Sequence, residues 1–143
     1  MPLKNYTTKV SVFQSVGEIQ SMLAKAGATK ILQELDSGFV VGISFEINTP
    51  YGLRQFSLPA HTDKVMAVLK KQKVNVDKPQ AERVAWRILK DWTAAQMAIL
   101  ETEMVTVDEV FLPYMLNGSG TLYSAYVLSN GGQILIGGAD NET

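Results

Sequence analysis

Arg83, Trp86, Arg87 and Lys90 lie in the stretch ERVAWRILKDW, residues 82–92. At 100° of rotation per residue these four gather on one side of a helix. An indole among guanidinium groups suits contact chemistry. It can bury in a partner's surface, where Trp and Arg dominate the binding energy. It can also stack on a base while the arginines meet phosphate. Burying such an indole is favourable by a few kcal/mol, on the order of the usual area coefficient. The run LKKQK adds Lys70, Lys71 and Lys73, the densest positive patch in the chain. Together these seven residues form the candidate partner- or ligand-binding set. A structural alternative stands beside it: the short helical pattern 62–73, or the C-terminal tail, covers Trp86. Trp92 reads differently. It sits near the centre of an apolar stripe, Ala81, Val84, Ala85, Ile88, Trp92, Ala95 and Ile99, and is expected in the core.

Other reactive residue types are sparse. His61 is the only histidine, and nothing near it in sequence marks a nucleophile for it to activate. It reads as a surface residue before a helix, and no catalytic residue is assigned. Without cysteines there are no thiolate ligands, thiol nucleophiles or disulfides. Glu101, Glu103, Asp108 and Glu109 cluster at a helix end and a helix start, where carboxylates serve capping and solubility, so no metal is expected. NGSG and NGG lack the flanking strand and helix of a phosphate loop. No cofactor follows from any of these. The net charge of −1 argues against general binding of duplex nucleic acid, which relies on phosphate neutralisation.

The elements that must position the candidate set are readable from periodicity. With 143 residues the chain makes one domain, and α+β is the expected class. Tyr6 to Phe13 is rich in β-formers and predicts a first strand. Ser15 and Glu18 have capping-box spacing ahead of a helix over 15–26. TKILQEL, the turn Asp36-Ser37-Gly38 and FVVGISFEI predict a hairpin, with Phe39, Val41, Ile43, Phe45 and Ile47 on one face. LRQFSLP adds a strand, making a small antiparallel sheet of three to four strands. A helix follows from Thr62 or Asp63 through Lys73, and a long one over 79–103 with Asp77 as its cap. Thr106 and Glu109 restart a short helix that Pro113 breaks. The tail reads as a hairpin around Asn130-Gly131-Gly132, or as a short helix over GTLYSAYVL. No apolar run is long enough to span a membrane, and a cytoplasmic protein is expected. Homo-oligomerisation is expected too, because so small a sheet cannot cover a seven-turn helix all round.

The segment AERVAWRILKDWTAAQMAILETEMVTVDEVFLPYML, residues 81–116, resembles a stretch of small uncharacterised proteins encoded by tailed phages and prophages. GEIQSMLAKAGATKI and GISFEI are similar to the N-terminal half of those proteins, so the resemblance spans about residues 10–116. It implies a viral accessory origin and carries no catalytic residue across. The function expected on that basis is non-enzymatic inhibition of a host defence system in the bacterial cytoplasm. The partner would be an effector protein or a small signalling nucleotide. The alternative is an accessory of phage DNA replication or recombination, contacting single-stranded nucleic acid through Lys70, Lys71, Lys73, Arg83 and Arg87.

Overall fold

Ser11, not Ser15, opens the first helix. Its Oγ accepts from the Gln14 backbone N–H at 3.0 Å, so α1 runs Val12–Lys25. A residue at the N-cap satisfies a donor that the helix itself cannot, and Ser11 is well suited to it. The expected strand over Tyr6–Phe13 is therefore absent. Two tight turns, Tyr6 N–H to Leu3 O and Thr8 N–H to Asn5 O, fold the segment instead. The computed structural model describes residues 2–118 and 120–131.

After α1 the chain forms a three-stranded antiparallel meander: β1 (Lys30–Asp36), β2 (Phe39–Thr49) and β3 (Gly52–Pro59), in that spatial order. Ser37 and Gly38 both take positive φ at the first turn, as the sequence predicts. Alternation in β2 holds for Ile43, Phe45 and Ile47, which are all buried. It fails before them. Glu34 pairs with Gly42 but Leu35 with Val40, which leaves Val41 as a bulged residue and flips the phase. Val40 thus turns towards the core, while Phe39 and Val41 are exposed.

Two further helices, α2 (Thr62–Lys71) and α3 (Lys78–Glu101), follow as a packed pair. Asp77 caps α3 by accepting from the Gln80 N–H at 2.9 Å. Next come α4 (Val107–Phe111), with the Thr106/Glu109 capping box, and a 3₁₀ turn Leu112–Tyr114 that accommodates Pro113. β4 (Leu116–Asn117) and β5 (Gly120–Thr121) form a minimal ladder, and α5 (Leu122–Leu128) closes the described chain. Of the two expectations for the tail, the short helix within GTLYSAYVL is the one observed, and the second arm of the alternative hairpin, from Gly132, lies outside the described residues. The class is mixed α+β, with α1 packed along α3.

One core joins these elements. Ile19 and Leu23 of α1, Ile43, Phe45, Ile47, Phe56 and Leu58 of the sheet, Trp86 of α3 and Phe111 of α4 are all buried in it. Phe45 stacks on Phe56 with centroids 5.2 Å apart, and Phe111 sets its ring edge-on to Phe45 at the same distance. Offset and edge-to-face arrangements of this kind are the favoured aromatic geometries. The opposite face of the sheet carries no helix among the described residues.

Candidate functional site

Trp86 does not face a partner. It is fully buried, and its indole Nε1–H donates to the Val40 carbonyl at 3.2 Å, beside the bulge in β2. The contact-face role expected of it is therefore corrected. The cause is the depth to which the first turns of α3 sink into the molecule. Ala81, Glu82, Val84, Ala85, Trp86 and Arg87 are all buried, more than the single stripe a surface helix would bury. Trp92 lies at the edge of the core, half-buried, with its ring against Phe111 and Tyr114 at 5.7 Å.

Arg87 and Lys90 are also drawn inward. The Arg87 guanidinium pairs with the Glu18 carboxylate of α1, and Lys90 lies 3.8 Å from both Glu18 and Asp91. Asp91 accepts from Asn5 Nδ2 at 2.9 Å and meets Lys4 Nζ at 3.3 Å. These ion pairs staple α3 to α1 and to the N-terminal segment, so Arg87 is not free to meet phosphate. Lys70, Lys71 and Lys73 stay exposed at the end of α2, where they complement the helix dipole.

Both carboxylates of the staple are held below their ordinary range. A hydrogen bond from Gln14 does most for Glu18, with Arg87 next; for Asp91 the bond from Asn5 leads. A carboxylate depressed in the folded state contributes stability above its unfolded pKa and loses it as pH falls through the folded one. Stability should accordingly start to drop below about pH 4.5 and keep falling as Asp91 follows from about 3.8. Urea titrations of the wild type and of Glu18→Gln between pH 6 and pH 3 check this. The slope against pH should flatten in the variant.

Two residues of the expected set line cavities: Lys90 borders a hollow beside Gln14 and Glu18, to which it is already paired, and Arg83 lines a second one. A cleft of about 680 Å³ opens between the N-terminal segment and the α2–α3 connection, walled by Tyr6, Thr8, Lys9, Asn75, Gln80 and Arg83 among others. Gln80 organises it. Its Nε2 donates to the Tyr6 and Thr8 carbonyls at 3.1 and 2.9 Å, and its Oε1 accepts from Arg83 Nε at 2.8 Å. The guanidinium is thereby oriented through one N–H. No hydrogen bond or ion pair to the described residues occupies its Nη groups. Thr7 and Ser11 add hydroxyls, and no acidic residue among those described lines the cleft. A cavity with two cations, several hydroxyls and no carboxylate is suited to an anion, and its volume lies in the range of small-molecule sites.

Sequence reasoning misses the other half of this cleft, because the β-rich composition of Tyr6–Ser11 predicts a strand. The signal was present in Ser11-Val-Phe-Gln14, a second cap-and-glutamine pattern one turn ahead of Ser15. His61 is exposed at the start of α2 and caps nothing with its side chain. Among the described residues no group of three or more His, Asp or Glu side chains is placed to hold a metal ion, and no helix is long and apolar enough to cross a membrane. Comparison with protein-family models, with curated proteins and with solved structures returns no match.

Proposed function

We propose that this chain is a non-enzymatic phage accessory protein that inhibits a host defence system by sequestering a signalling nucleotide in the Lys9/Arg83 cleft. The reading rests on one observation: Arg83, oriented by Gln80, and Lys9 line a cleft with no acidic residue among those described, in a chain of net charge −1. Phosphate oxygens would meet the Arg83 Nη–H groups, which no described residue engages, and the Lys9 ammonium. Thr7, Thr8 and Ser11 offer hydroxyl donors, and the Tyr6 ring a face for a base. Nothing in the cleft is arranged to break a bond, so the outcome is retention of the ligand. The phage origin rests on the resemblance over residues 10–116.

The exposure of Lys70, Lys71 and Lys73 favours the second reading, an accessory of phage DNA metabolism that contacts single-stranded nucleic acid. Salt separates the two. Binding of a dT oligonucleotide through several exposed lysines should fall steeply, with a log–log slope of about −0.7 per phosphate neutralised. A nucleotide held by Arg83 and Lys9 should lose far less affinity between 50 and 200 mM salt. Fluorescence anisotropy with a labelled oligonucleotide and with a labelled cyclic dinucleotide decides it. Strong, salt-sensitive oligonucleotide binding without dinucleotide binding would refute the sequestration reading.

A further inference from the structure

The strand β1 leaves one edge of the sheet unpaired among the described residues. β1 is seven residues long, lies at the border of the meander, and has no strand on its outer side among the described residues. Its protection is partial: Lys30, Glu34 and Asp36 are charged and a bulge lies opposite Leu35, but it has no proline, and it presents Leu32 and Leu35 at 66% and 63% exposure. Its sequence, Lys-Ile-Leu-Gln-Glu-Leu-Asp, is complementary to its own reverse at its outer positions, with opposite charges at the two ends and apolar residues next to them. An antiparallel pairing centred on Gln33 sets Lys30 opposite Asp36, Ile31 opposite Leu35 and Leu32 opposite Glu34 of the second copy.

Side-chain geometry supports that register. Lys30, Leu32, Glu34 and Asp36 share the helix-free face of the sheet, while Ile31, Gln33 and Leu35 share the core side. Glu34 does not obstruct the partner's Leu32, because its carboxylate is drawn back across the sheet. It accepts from Ser44 Oγ at 2.9 Å and from Ser57 Oγ at 3.1 Å. Gly42 makes the room; a Cβ there would stand 2.5 Å from Glu34 Oε1. The two Leu32 side chains then meet diagonally across the axis, within reach for long apolar groups.

We infer that two copies of this chain associate through antiparallel β1–β1 pairing about a two-fold axis at Gln33, joining their meanders into one six-stranded sheet. Isologous contacts of this sort are the commonest route to a closed dimer. The inference is independent of the cleft, which shares no residue with β1.

The chain has no cysteine, so a single introduced thiol reports position cleanly. Gln33→Cys faces its own copy across the axis, with Cβ atoms about 4.5–5.5 Å apart, close enough for a disulfide after small adjustment. Under mild oxidation of the full chain it should cross-link at least tenfold faster than Phe13→Cys, an exposed position on α1. In light scattering over a concentration series, the wild-type mass should rise towards twice 15.7 kDa. Lys30→Asp and Asp36→Lys, each folded by circular dichroism, should each weaken association at least tenfold. Mixing the two variants should restore it, since each then faces opposite charge. A wild type that stays monomeric, cross-linking no faster than the Phe13→Cys control, or a mixture no tighter than its parts would overturn the inference.

Discussion

Trp86→Ala is expected to lower the free energy of unfolding by about 3–5 kcal/mol, the range for deleting a large buried aromatic. Trp86 is among the largest fully buried side chains of the chain, and α3 meets the sheet around it. Its removal leaves a cavity that the rigid meander and the paired helices cannot close. The loss is compounded at β2, where the indole N–H satisfies the Val40 carbonyl beside the bulge. Trp86→Phe separates the two contributions. It keeps most of the apolar volume but withdraws the donor, and should cost about 1–3 kcal/mol. Urea denaturation, read as a shift in midpoint at constant slope, measures both. A loss below about 1 kcal/mol for Trp86→Ala would mean that this ring does not organise the core.

Phe111→Ala should be of comparable size, about 3–5 kcal/mol, although Phe111 sits on a helix of only five residues. The ring is fully buried and touches Phe45, Phe56 and Trp92. It acts as a plug that ties α4 to the sheet and to α3. Helices this short are not stable by propensity, so the anchor holds the segment rather than the reverse. The variant should therefore also loosen Val107–Tyr114. Amide exchange in Val107–Tyr114 should accelerate well beyond the change in α1. Unaltered protection there would contradict the plug role.

The two tryptophans show where the sequence was sufficient and where it was not. Periodicity located α3 within two residues at each end, and Asp77 marked its start, because caps and apolar spacing are local properties. Which side of α3 is covered is not local. A stripe computed for a helix lying on one surface placed Trp92 at the centre and Trp86 outside. Packing against α1, α2 and the sheet buries α3 more broadly, and Trp86 becomes the interior residue. Charges mislead in the same way. Arg87 and Lys90 look like a contact face until α1 supplies Glu18, whose spacing from Ser15 had suggested capping instead. The cleft residues Tyr6–Ser11 were hidden for a third reason. A β-rich composition predicts a strand only where a partner strand exists, and two turns together with Gln80 take up this segment.

Calorimetric titration of cyclic di-AMP and of a linear adenine dinucleotide into the wild type, Lys9→Ala and Arg83→Ala tests the sequestration reading most directly. Arg83 and Lys9 contribute no buried apolar area to the core, so both variants should fold as the wild type does. The wild type should bind at least one of the two ligands at a single site per chain. Arg83→Ala should weaken that binding at least tenfold, about 1.4 kcal/mol, with Lys9→Ala weakening it as well. Binding unchanged in Arg83→Ala, or no heat from either ligand with the wild type, would contradict the account.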